Sequence, residues 1–174
     1  MFLQKIIFKR VLGGEELQLA EAELQRAEIA LKRPSELKGS QADKERIRNL
    51  QLSNWYKVKW ADSVYVVGNL TKNKRQVFGA PGIAAQMAIN NGKKGYVFSQ
   101  PDGRWFTWSP RGRFGGEFTG AGKPPKPTRR FAGITDYKNI TQKGRQAIKS
   151  LFSTHYPEVT TVTEKVAEAQ ISKK

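Results

Sequence analysis

Aromatic side chains are concentrated in one stretch of this chain, and that concentration points to where a core can be built. Residues 53–149 hold fourteen of the eighteen Phe, Trp and Tyr residues, including all four tryptophans, at 55, 60, 105 and 108. Large rings dominate the area that a small domain buries. A chain of 174 residues has room for one compact domain with appendages. The same stretch holds eighteen basic and four acidic residues, so it carries +14 of the net charge of +16. Residues 1–52 hold ten basic and eight acidic residues, and 150–174 hold three of each. An excess of this size goes beyond what solubility requires and calls for an acidic partner.

Hydrophobic spacing assigns the elements. Leu17, Leu24 and Leu31 lie seven apart with Ala20 and Ala27 between them, which predicts a helix over 15–32 that packs along one narrow stripe. Pro34 stops it, and Ser40 with Asp43 three residues on caps a second helix through Ile47 and Leu50. The two form a helical hairpin, either packed on its own domain or serving as a docking arm for other subunits. Over 55–67, aromatic and β-branched residues predict a strand with Tyr56, Val58 and Trp60 on one face and Trp55, Lys57 and Lys59 on the other. A short return strand is expected over 75–78 and a helix over 82–91. Strands over 96–99 and 104–109 are joined by the turn Pro101-Asp102-Gly103. The basic Gly- and Pro-rich run that follows cannot build a core and reads as an extended arm. A last helix over 141–152 places Ala147, Ile148, Leu151 and Phe152 on one face. The expected architecture is α+β, in four parts. Residues 1–52 form an N-terminal strand and helical hairpin arm; 53–110 form a small, basic, mostly antiparallel β core with one short helix. Residues 111–133 form the extended arm, and 134–174 the C-terminal helix and tail.

The motifs point away from catalysis. The chain has no cysteine, which excludes disulfides and thiolate metal sites. Its one histidine, His155, has no second His or Cys with which to share a metal. Within 53–149 the carboxylates are Asp62, Asp102, Glu117 and Asp136, and Asp102 belongs to a turn, whereas a metal-dependent nuclease needs two or three that converge. No phosphate-binding loop and no dinucleotide fingerprint after a clear strand is present. No cofactor is expected. Near the N-terminus, Lys5, Lys9 and Arg10 interrupt the apolar Phe2, Leu3, Ile6, Ile7 and Phe8, and no small-residue cleavage site follows, which is not a signal-peptide pattern. No run reaches the ~18 apolar residues of a membrane span, so integral membrane association is not expected.

Cations interleaved with aromatics suit single-stranded nucleic acid, because the former neutralise phosphates and the latter stack on bases. The candidates are Lys57 and Lys59 on one strand face and Lys72, Lys74 and Arg75 in the turn region after it. Arg104, Trp105 and Trp108 follow in the hairpin, where odd spacing puts the two tryptophans on opposite faces. Arg111, Arg113, Arg129 and Arg130 lie on the arm. The run Arg111-Gly112-Arg113-Phe114-Gly115-Gly116 resembles the arginine- and glycine-rich segments of RNA-binding proteins, and it equally suits a glycine-rich hairpin loop. The expected function is non-enzymatic binding of a polyanion, DNA or RNA foremost, with weak sequence preference and a cytoplasmic or virion-associated setting. The alternative is a structural subunit of a large assembly such as a phage virion or ribonucleoprotein, whose partner surfaces would hold the arm and tail.

Overall fold

The computed structural model describes residues 14–32, 39–110, 116–122, 126–136 and 138–155. The expected helical hairpin is present as α1 (Gly14–Leu31) and α2 (Gln41–Trp60). Ser40 caps α2, its hydroxyl oxygen accepting from the Asp43 N–H at 3.2 Å and so satisfying a backbone donor that the helix leaves orphaned. Ala20, Leu24, Ala27 and Leu31 are buried along one side of α1 and join one core with α2 and with α3 (Ala80–Asn90). Glu23 fixes that contact. Its carboxylate accepts from Asn91 Nδ2 at 2.9 Å, and the same amide donates to the Met87 carbonyl at the end of α3. The stripe of the hairpin therefore faces inward, onto its own domain.

α2 departs from expectation at its C-terminal end. It continues to Trp60, so residues 55–60 are helix and not strand, and the boundary expected after residue 52 falls inside it. The physical reason is burial: Gln51, Leu52, Trp55 and Val58 recur at helical spacing and form one buried stripe. Strand alternation would have put Val58 and Trp60 on one face, but Val58 is 0% exposed and Trp60 65%. Lys57 and Lys59, expected to share a strand face, point to different sides of a helix.

β1 (Ser63–Gly68) is buried at every residue. A strand covered on both faces reads as a continuous apolar run, as Val64-Tyr65-Val66-Val67 does. It pairs in parallel with β2 (Lys94–Ser99) on one edge and β5 (Phe131–Thr135) on the other. β3 (Arg104–Ser109) pairs antiparallel with β2, and β4 (Glu117–Gly122) with β3, giving the order β4-β3-β2-β1-β5. The class is α+β as expected, and the sheet is mixed: α3 returns the chain from the end of β1 to the start of β2, which makes that pair parallel. One face, with Val64, Val66, Val97, Phe106, Phe118, Ala132 and Ile134, packs with the three helices. The other, with Tyr65, Val67, Phe98 and Trp105, packs on Ala147 and Leu151 of α4 (Gln142–His155). α3 lies within the first layer, which is why it is apolar nearly all round.

The run expected as a coreless arm supplies β4 and β5. Phe118, Ala132 and Ile134 point inward at 2%, 5% and 6% exposure, and pairing to β3 and β1 satisfies the backbone. Glycine concealed this alternation in the sequence. Gly116, just before β4, has φ 92°, and a Cβ there would overlap the Trp108 ring. The return strand expected over 75–78 contracts to one bridge, Leu70 to Val77.

α4 is tied to the sheet through Gln100, 8% exposed. Its N–H donates to the Gly68 carbonyl at 2.9 Å. Its Nε2 donates to Asn69 Oδ1 and the Asn139 carbonyl, and its Oε1 accepts from the Thr141 N–H at 2.6 Å. Gly144 lies against this clamp: a Cβ there would stand 2.7 Å from Gln100 Oε1 and 3.0 Å from Ile140 and Val67. Gly144→Ala should therefore lower the unfolding free energy by about 1–3 kcal/mol in urea titration, as overpacking does. Gly133→Ala, where nothing lies within 4 Å of the added carbon, should change it by less than about 0.5 kcal/mol.

Candidate nucleic-acid interface

Parallel pairing in register brings the first residues of three strands into one row, with Ser63 opposite both Lys94 and Phe131. The residues just before the row therefore converge at one end of the sheet. They are the last turn of α2 with Lys57, Lys59 and Trp60, then Asp62, then Lys93 before β2, then Arg129 and Arg130 before β5. Hydrogen bonds lock them together. Lys93 Nζ donates to the Lys59 carbonyl at 3.1 Å, and the Asp62 N–H donates to the Arg130 carbonyl at 2.7 Å. The Arg130 guanidinium forks onto Asp62, with NH2 2.9 Å from Oδ1 and Nε 3.3 Å from Oδ2.

Six cations lie on the segments that share this end, and two acidic residues pair with two of them. Glu16 takes Lys59 at 2.6 Å and Asp62 takes Arg130. Lys57, Lys94 and Arg129 are exposed and carry no ion pair among the described residues. Trp60 projects from the same end.

The other expected residues sit elsewhere. Lys72, Lys74 and Arg75 lie in the loop between β1 and α3, with Lys72 exposed and the other two half-buried. Lys74 Nζ stands 4.3 Å from the centre of the Phe106 ring, and Arg104 approaches the same ring at 5.1 Å. These two cations cover a core phenylalanine. Trp105 is 3% exposed and packs edge-on against Phe98 and Tyr65, with its rim on the floor of an open groove beside Lys143 and Gln146 of α4. Trp108, on the opposite sheet face as its spacing predicts, is half-buried against Phe118 at 5.1 Å. Neither offers the free ring face that stacking needs. Arg111 and Arg113 lie outside the described residues. Among the described residues, no three His, Cys, Asp or Glu side chains gather into a metal site, and no helix is long and apolar enough to cross a membrane.

Sequence reasoning missed Trp60, Lys93 and Lys94. The strand reading placed Trp60 in alternation with buried residues, and the two lysines gain meaning only from the parallel register.

Asp102 stands beside Lys74, with Nζ 3.6 Å from its Oδ1. A hydrogen bond from the Ser99 hydroxyl, helped by the charges of Lys74 and Arg104, holds its carboxyl below the ordinary carboxylate range. A lowered folded pKa contributes stability that is present above the unfolded value of about 3.9 and is lost as pH falls through the folded value. Asp102→Asn should be less stable than the wild type near neutral pH, and the gap in urea midpoints should close as the pH falls below about 4. A gap constant with pH would make the residue a packing element alone.

No family model matches the chain, and neither a curated protein nor a solved structure does so.

Proposed function

We propose that this protein is a non-enzymatic nucleic-acid-binding protein whose phosphate-binding surface is the end of the sheet where β1, β2 and β5 begin. The supporting observation is that the segments bearing Lys57, Lys59, Lys93, Lys94, Arg129 and Arg130 share that end, with only Lys59 and Arg130 paired to carboxylates among the described residues. Three of these cations come from strand starts or the residues beside them, so their spacing is set by the sheet and not by a mobile loop. Cations that neutralise phosphates release condensed counterions, and this supplies most of the affinity of non-specific binding. Phosphate contacts fix position without reading bases, which fits weak sequence preference.

The cations outside the ion pairs also separate binding from stability. Lys57, Lys94 and Arg129 are exposed, so replacing all three with Ala should leave the unfolding free energy within about 0.5 kcal/mol per site. The same change should flatten the plot of log affinity against log salt by about one unit per lost contact. Arg130→Ala should reduce both quantities, because it also strips Asp62 of its fork. Titration of DNA and RNA oligonucleotides between about 50 and 200 mM salt measures the slope; absence of binding at the low end would remove the proposal.

A further inference from the structure

Of the four tryptophans, Trp55 and Trp105 are buried, Trp108 is half-buried, and Trp60 is 65% exposed. A single exposed apolar residue is ordinary on a protein surface. What distinguishes Trp60 is its setting among cations. Lys57 precedes it by one helical turn, and Lys59 Nζ, itself paired with Glu16, stands over one face of its ring, 5.2 Å from the centre. Lys93 is bound to the carbonyl of the preceding residue, and Arg130 is bound to Asp62 two residues on. The ring is thus held at the end of a helix that the core fixes through Trp55 and Val58.

We infer that Trp60 is a base-stacking platform and that the nucleic acid bound at this surface is single-stranded. The inference rests on the phosphate-binding surface proposed above. Bases of a duplex stack on one another inside it, and a ring reaches their faces only after unstacking them, at a cost of a few kcal/mol per step. In a single strand the faces are open, and every base has one, so stacking suits a surface without sequence preference. Charge alone would favour the opposite ligand, since a duplex carries a phosphate per ~1.7 Å of axis against ~3.4 Å for one of its strands. A membrane surface fits less well, because among the described residues the cations around Trp60 are not joined by the broad apolar face with which an interfacial segment inserts.

The test is a set of fluorescence-anisotropy titrations of end-labelled oligothymidine and oligouridine strands and of a duplex of equal length. The proteins are the full chain and its variants W60A and W60F. Vesicles of phosphatidylserine and phosphatidylcholine serve as a separate arm. The wild type should bind the single strands more tightly than the duplex. W60A should weaken single-strand binding by about 5- to 150-fold, leave the salt slope unchanged because no charge is removed, and leave duplex binding unaltered. W60F, which keeps a ring, should stay much nearer the wild type, and matching melting curves would show that both variants fold. Single-strand binding that is indifferent to W60A overturns the inference, as does an equal loss on the duplex, or vesicle binding that depends on Trp60 without any single-strand preference. In those cases, if the strands are still bound with a steep salt slope, the phosphate surface survives. Failure of the wild type to bind any oligonucleotide at low salt overturns both.

Discussion

β1 is hydrogen-bonded along both edges and buried on both faces, and the remaining elements are arranged to make that possible. A strand in this position needs parallel or antiparallel neighbours on each side and a layer above and below. α3, backed by α1 and α2, provides one layer while also carrying the chain to β2. α4 provides the other. The Gln100 clamp joins the ends of β1 and β2 to the start of α4, so the second layer is positioned by the same strand that it covers.

The parts of this fold legible in the sequence are those that local chemistry decides. Ser40 at a helix start, Pro101-Asp102-Gly103 in a hairpin and the heptad spacing of α1 each carry their own signal, and the structure has each where expected. The end of α2 was not legible, because Tyr56, Val58 and Trp60 satisfy a period of two while Leu52, Trp55 and Val58 satisfy a helical one. Burial against the other elements decided between them, and no local window contains that. β4 and β5 were hidden for another reason: with Gly at 120, 122 and 133, their inward alternation rests on a few residues such as Phe118 and Ile134. The expected cations divided similarly. Arg129 and Arg130 fall at the basic end, whereas Lys74 and Arg104 cover Phe106, and a residue's charge says nothing about which of these it will do.

In open parallel sheets ligands usually sit beyond the carboxyl ends of the strands. Here the carboxyl ends of β1 and β2 are closed by Gln100, with Gly68, Asn69, Asn139 and Thr141 as its partners. Six cations lie on segments at the opposite, amino end, while Lys74 and Arg104 at the closed end cover Phe106. The closed end anchors α4, so its cations are bound up with packing, whereas Lys57, Lys94 and Arg129 at the amino end are exposed.

The pairing of Ser63 with Phe131 also orders events in time. β2, β3 and β4 follow one another through short connections and can zip together early, but the second edge of β1 waits for a segment made much later. Closing so long a loop is slow relative to local pairing. Until it closes, β1 presents an open, apolar edge of the kind that recruits other chains. A chain that stalls or is cut before β5 would therefore lose more than one edge strand: its central strand would become the stickiest part of the molecule.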